Sequence, residues 1–431
     1  MSCLKINSIK NKRLNEEVLN IELNNGLKIF YMLKRNYVKK YAIYSTNYGS
    51  IDNVFIPIGE EREITVPEGI AHFLEHKLFE EPAISIFDEF AKLGSYVNAF
   101  TSNNQTAYLF SCIDKFEENL ELLVKFVQDP YFTDENVEKE KGIIEQEIKM
   151  YNDSPNWKVY SNCLTGMYLN HPVKIDIAGT IDSIKKINKE LLYKCYNTFY
   201  NPSNMVIFII GDIDFEKAVT IIEENQKHIE KAEHEISRIR IKEPSIVNKN
   251  LIEENLSVSI PLFNIGFKDL DIGYDGEKLV SKEICTNILL EMLYGNSSDF
   301  YEQLYEEGLI NDSFGFQYLG YRDYGYAIIA GESNNPKEVH KRILQKVEDI
   351  LKKGISEEDF IRAKKKLMGY FIMDLNSIDN VATSFIAYLY KNYIMFNYLD
   401  TLEGINMHDL EKRCKEFLKE DNYCLSIINP K

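Results

Sequence analysis

Val66-Pro-Glu-Gly-Ile70-Ala-His72-Phe73-Leu74-Glu75-His76-Lys-Leu78-Phe79 is the stretch whose reading decides the rest of the chain. Pro67-Glu68-Gly69 reads as a turn, and the residues after it as a helix carrying H-x-x-E-H. On a helix, positions i and i+4 lie one above the other on one face. His72 and His76 can therefore turn two imidazole nitrogens towards one metal ion. Glu75 falls on nearly the same face, within reach of a water beside that ion. Ile70, Phe73, Leu74, Leu78 and Phe79 surround the histidines with apolar side chains, so the helix is expected to be buried. A buried polar group without a partner is costly, and a metal ion supplies partners for both histidines. Catalytic zinc sites take three protein ligands and keep a fourth position for water. One distant carboxylate would complete the set.

A second helix offers candidates. Thr133-Asp134-Glu135-Asn136 reads as a helix start with acid in the first turn. The run from Val137 to Met150 carries Glu138, Glu140, Glu145 and Glu147, beside an apolar stripe of Ile143, Ile144 and Ile148. A helix this acidic is ordinarily a solvated face. Glu140 and Glu147, however, lie two turns apart on one face and border the stripe, where a carboxylate can point inward.

His72-Phe-Leu-Glu-His76 followed by Glu140-Lys-Gly-Ile-Ile-Glu-Gln-Glu147 resembles the pitrilysin/insulinase family of inverted zincins. The resemblance implies that His72, His76 and Glu147 bind zinc. It also implies that Glu75 is the general base and that Glu140, seven residues before the ligand glutamate, supports the site. Glu145 competes for the third position, and the E-x6-E register selects Glu147. Gly94-Ser-Tyr96-Val-Asn98-Ala99-Phe100-Thr101 resembles the family's strand beside the active site. There an exposed edge pairs with an extended peptide, which makes Asn98, Ala99, Phe100 and Thr101 the expected substrate contacts. By itself, Tyr96–Phe100 followed by Ser102-Asn-Asn104 and Thr106–Phe110 reads as a hairpin. Asn152–Trp157, His171–Thr180 and Asn201–Gly211 also look like family segments. Catalytic members often carry an Arg and a Tyr in the second half that bind the substrate carbonyl. Around Arg322-Asp-Tyr324-Gly-Tyr326 that pair is out of register.

The chain has 431 residues, too long for one ordinary core, so two domains are expected. Its 50 basic and 67 acidic residues leave −17, which argues against nucleic acid and against an anionic membrane surface. No segment approaches the apolar length of a membrane span. Nor does the N-terminus carry an apolar signal core, so a cytoplasmic location is expected. The seven cysteines are scattered without CxxC spacing and read as reduced thiols. His171, His228, His234, His340 and His408 lack ligand spacing and read as structural or surface residues.

Weak internal matches suggest a duplication. Ile288-Leu-Leu-Glu291-Met292 falls over His72–His76, Ala363 and Tyr370 fall over Glu140 and Glu147, and Phe417–Ser426 over Phe199–Phe208. Only the first half would then carry metal. The expected fold is α+β, with two homologous layered domains of sheet and helices, and the resemblance implies that they form half of a clamshell chamber. They would be a zinc-binding domain at 1–230, a charged linker at 231–254, and a metal-free domain at 255–431. The resemblance implies a zinc endopeptidase acting on short unfolded peptides, closed into a chamber as a homodimer or with a related subunit. Two other readings keep the same fold: a dedicated leader-processing peptidase, and a non-catalytic subunit of a heterodimer.

Overall fold

The computed structural model describes residues 6–80, 85–226, 231–232, 236–419 and 421–431. His228, His234 and Cys3 lie outside these. Two compact units emerge: Met1–Ile148 with Asp176–Arg240 and Leu375–Tyr390, and Lys149–Ile175 with Ile241–Asp374 and Lys391–Lys431.

The first unit is built on a seven-stranded sheet. Its strands are β1 (Asn7–Asn11), β2 (Glu16–Glu22), β3 (Lys28–Leu33), β4 (Lys40–Thr46), β5 (Tyr96–Thr101), β6 (Thr106–Cys112) and β7 (Met205–Gly211). They lie in the order β1-β2-β3-β7-β4-β6-β5, with β3 and β7 parallel and the other neighbours antiparallel. The central strand β7 reads Met-Val-Ile-Phe-Ile-Ile-Gly and is buried throughout. A strand apolar on both faces must be covered on both. Ile207 and Ile209 face the main core with Phe73, Leu74, Leu120 and Leu192. Phe208 and Phe30 face the other way, against Phe385 with ring centroids 4.8 and 5.1 Å apart. Phe385 belongs to the helix Ile378–Tyr390, from late in the chain.

The second unit repeats the pattern. Its sheet contains β8 (Leu251–Leu256), β9 (Leu262–Lys268), β10 (Gly315–Gly320), β11 (Gly325–Glu332) and β12 (Tyr423–Pro430). The order is β8-β12-β9-β11-β10, with β8 and β12 parallel and the rest antiparallel. This matches β3-β7-β4-β6-β5 strand for strand in order and direction. Two α+β units with one topology are what the internal matches implied.

The sequence boundaries shift in three ways, one being that the helix Ile378–Tyr390 belongs to the first unit and not with 255–431. The last four residues of the expected linker, 251–254, open an edge strand, Leu251–Leu256, whose side chains alternate only between exposed and half-buried. The helix Pro155–Met167 lies in the second unit, not with the first 230 residues. Its Val159 packs on Leu262 and Ile428. Gly266 on β9 permits the approach, since a Cβ there would sit 2.6 Å from Cys163 Sγ and Met167 Sδ.

Candidate metal centre

The motif helix runs Ile70–Leu78, and every residue in it except His76 is buried. Its start is fixed by backbone packing. Gly69 has φ 85°, and a Cβ there would lie 2.3 Å from the Ala178 carbonyl oxygen. Gly179 is equally tight against Glu68, and Ser183 Oγ donates to the Glu68 carbonyl at 2.8 Å. The acidic helix spans Asp134–Asn152. Its start is a reciprocal cap: Asn136 N donates to Thr133 Oγ1, and Thr133 N to Asn136 Oδ1. Lys77, fully buried, ties the two helices together by donating to the Asn136 carbonyl at 3.3 Å.

Between the helices, His72 Nε2 lies 3.6 Å from Glu147 Oε1, and His76 Nε2 lies 3.7 Å from Glu147 Oε2. Among the described residues, His72, His76 and Glu147 are the group of His, Cys, Asp or Glu side chains able to hold a metal ion, their ligand atoms within 4.8 Å of one another. Glu145 is not in it. The separations are too long for hydrogen bonds. They are close to the roughly 3.4 Å expected between donors sharing a tetrahedral zinc with 2.0–2.2 Å bonds. Two imidazoles and a carboxylate are also a usual zinc donor set, so the residues fit the ion.

The surroundings prepare each group. Burial, and then the neighbouring His76, push the His72 imidazole down to about 3, which keeps it neutral and able to ligate. His76 Nδ1 lies 3.0 Å from Glu140 Oε1. Burial would lower this imidazole, but the hydrogen bond and charge of Glu140, with Glu75 and Glu147 nearby, hold it above the ordinary value. A carboxylate on the far nitrogen orients a ligand histidine and raises its basicity. Glu75 is buried. Burial pushes its carboxyl up to about 7, against the Thr101 hydrogen bond and His76, with Glu147 adding to the rise. Ile143, read as part of the apolar stripe, is instead 49% exposed.

The β5–β6 hairpin lies beside the motif helix, and Thr101 Oγ1 donates to Glu75 Oε2 at 2.5 Å. Ser102 N donates to Gln105 O across the turn, so hydrogen-bonded pairs alternate from there. Phe100, Asn98 and Tyr96 bond to β6, while Val97, Ala99 and Thr101 direct backbone groups to the outer edge. Among the described residues no strand covers that edge. Of the expected contacts, then, Ala99 and Thr101 offer backbone to an incoming strand and Asn98 and Phe100 do not. Nothing in composition or periodicity marked the Thr101 hydroxyl as a partner of Glu75; the signal was strand register, which needs the fold.

In the second unit, Tyr324 and Tyr326 are buried, and Tyr326 hydroxyl meets the Tyr160 hydroxyl at 2.7 Å. Arg322 is exposed, 3.7 Å from Asp275. These residues do not form a presented Arg/Tyr pair.

Two matched units, one holding a two-histidine, one-carboxylate cluster with a buried glutamate beside it, define a class, and similarity to known proteins gives it a name. Residues 45–181 match the insulinase (peptidase M16) family and residues 186–367 match the peptidase M16 inactive domain. The chain belongs to the M16 family. It is 41% identical to the uncharacterized zinc protease YmfH of Bacillus subtilis, across 99% of this chain and 100% of that protein. The structure of a putative M16-like peptidase from Alicyclobacillus acidocaldarius superposes with a TM-score of 0.92 at 35% identity, covering 100% of this chain and 99% of that one. A protease from Helicobacter pylori shares the fold at a TM-score of 0.81 and 18% identity, over 96% of this chain and 100% of that one.

Proposed function

We propose that this chain is a zinc-dependent endopeptidase that cleaves short, unfolded peptides. The observation that carries the reading is the convergence of His72, His76 and Glu147 beside a buried Glu75 at an uncovered strand edge. His72, His76 and Glu147 would hold the ion, with Glu140 orienting His76. Bound there, zinc would lower the pKa of a coordinated water towards ~7 and polarise a carbonyl. Glu75 takes a proton from the attacking water and returns it to the leaving amine, as a carboxylate within reach of that water can. The substrate lies along β5 as an added strand, bonded to the backbone of Ala99 and Thr101 and held in register by the pleat. Only an extended peptide can do this. The names of the relatives as zinc proteases support the chemistry.

The working form we propose is a two-chain chamber, either a homodimer or a pairing with a related subunit. Buried Tyr324 and Tyr326 and the solvent-facing Arg322 leave room for a partner to supply carbonyl-binding groups. We place the protein in the cytoplasm. The six described cysteines are buried free thiols, which supports a reducing compartment. Among the described residues no helix is long and apolar enough to cross a membrane.

The test is metal analysis and a fluorogenic unfolded-peptide assay on wild type and Glu75→Gln, alone and with any co-encoded homologue. The expected result is about one zinc per chain in both proteins, with turnover lower by about 10²–10⁴-fold in the variant. Absence of zinc, or near-wild-type turnover by Glu75→Gln, overturns the reading.

A further inference from the structure

We propose that Thr101 is a positioning residue for the general base, so that the strand receiving the substrate also holds the catalytic carboxylate in place. This rests on the reading of Glu75 above. Thr101 Oγ1 donates to Glu75 Oε2 at 2.5 Å. Thr101 is the last residue of β5 and is paired across the hairpin with Thr106. The two hydroxyl oxygens lie 3.3 Å apart, and the buried Thr106 Oγ1 donates in turn to the Tyr48 carbonyl at 3.0 Å. Both hydroxyl protons are then committed, so cross-strand pairing with Thr106, and not a further hydrogen bond, holds Thr101 in place. An ionised carboxylate held by a hydroxyl makes a short, strong hydrogen bond. It also fixes which oxygen remains available for proton transfer.

The second unit gives an independent contrast. At the matching end of its hairpin the paired residues are Gly320 and Gly325. Neither residue carries a hydroxyl, and the Tyr318 hydroxyl beside them donates to Asp269. The counterpart glutamate, Glu291, is instead bonded to Lys366 Nζ at 2.7 Å. The threonine pair occurs in the unit that has the histidines, and the glycine pair in the unit that has lost them. If Thr101 served only the hairpin, the same strand ending in the second unit would have as much use for it.

Because Thr101 also directs its backbone to the free edge, peptide pairing along β5 and the placement of Glu75 are mechanically linked. A side-chain change at 101 that spares the backbone separates the two roles. Thr101→Val keeps the shape and removes the hydroxyl. Its expected effect is a fall in kcat of about 10- to 100-fold, the scale of a misplaced catalytic group, with KM and zinc content unchanged. Thr101→Ser restores most of the loss. In metal-free protein, thermal unfolding of Thr101→Val, Glu75→Ala and the double variant gives a readout independent of turnover. The double variant is expected to lose less stability than the sum of the singles, as contacting residues do. Wild-type kcat in Thr101→Val, a rise in KM alone, or additive stability losses overturns the proposal while leaving Glu75 as base. Full activity of Glu75→Gln would instead remove the reading on which it stands.

Discussion

The two units share one sheet topology and differ where chemistry is possible. His72 and His76 stand over Ile288 and Met292 on the helix Gly276–Tyr294, which is buried much like the motif helix. Glu140 and Glu147 stand over Ala363 and Tyr370 on the helix Glu357–Asp374. Ala363 is buried and Tyr370 is 48% exposed. Of the five positions, the glutamate alone is kept, as Glu75 and Glu291. In the first unit it meets a hydroxyl; in the second, Lys366 and, through that lysine, Asn296. The difference teaches that the scaffold does not need the histidines. A buried helix of this kind tolerates polar groups when each has a partner, whether that partner is a metal, a carboxylate or a lysine.

The sharpest way to break the comparison is to remove a side chain from the first unit's candidate metal cluster, which has no counterpart among the described residues of the second. Glu147→Gln keeps the shape and removes the ligand charge. Zinc affinity is expected to fall by more than about 100-fold, beyond the 10- to 100-fold typical of losing a mere supporting partner. Glu145→Gln should leave it within a few-fold. Competition titration against a chelator decides it, and a reversal between the two variants would move the third ligand to Glu145. Glu140→Gln tests the supporting role. It is expected to weaken zinc by about 10- to 100-fold while leaving one ion bound at saturation. Loss of binding altogether would make Glu140 a ligand.

Much of this was legible before the fold was known, because its signals are local. The i,i+4 histidine spacing and the Glu140–Glu147 register are properties of single helices, and the structure brings those residues together. The duplication was legible from scattered pairs that the matched strand orders now explain. What escaped was non-local. Nothing in Pro155–Met167 says that it covers the later sheet, nor in Ile378–Tyr390 that it covers the earlier one; each simply offers an apolar face. Leu251–Leu256 was hidden by its charge, since an edge strand needs few apolar residues. Ile143 sits beside Ile144 in sequence, yet a step of 100° on the helix turns it to solvent. Thr101 beside Glu75 depends on strand register, which no local pattern fixes.

A smaller effect sharpens the comparison from the other side. If Lys366 replaces a metal-site environment as the partner of Glu291, removing it should strand a buried carboxylate. The pair is 2.7 Å apart, with Glu291 side chain 7% and Lys366 side chain 23% exposed. Lys366→Met is expected to cost about 1–3 kcal/mol, the penalty of an unpartnered buried group. Adding Glu291→Leu should recover most of it. Chemical denaturation measures both. A Lys366→Met protein as stable as wild type would mean that water already satisfies Glu291, and that the second unit needs no substitute partner.

The smallest expected effect concerns pH, and it separates the units by where their buried charges lie. The second unit holds Asp269, which accepts from Arg413 at 3.1 and 2.6 Å and from the Tyr318 hydroxyl at 2.5 Å, with Lys282 Nζ 3.0 Å away. Burial would raise this carboxyl, but the charge and hydrogen bonds of Arg413, then Lys282 and Tyr318, hold it below the ordinary value. A carboxyl lower in the folded state than in the unfolded chain stabilises the fold above the unfolded value, ~3.9. That contribution is lost as pH falls from there through the folded value. The stability difference between wild type and Asp269→Asn should therefore be constant from neutral pH down to about 5 and shrink below about 4. Because the site carboxylates are present in both proteins, their own titration largely cancels in that difference. Denaturation series at several pH values supply the measurement. A difference that stays flat to pH 3 would show that Asp269 is not held down by its cations, and that the second unit's buried charges do not set its acid limit.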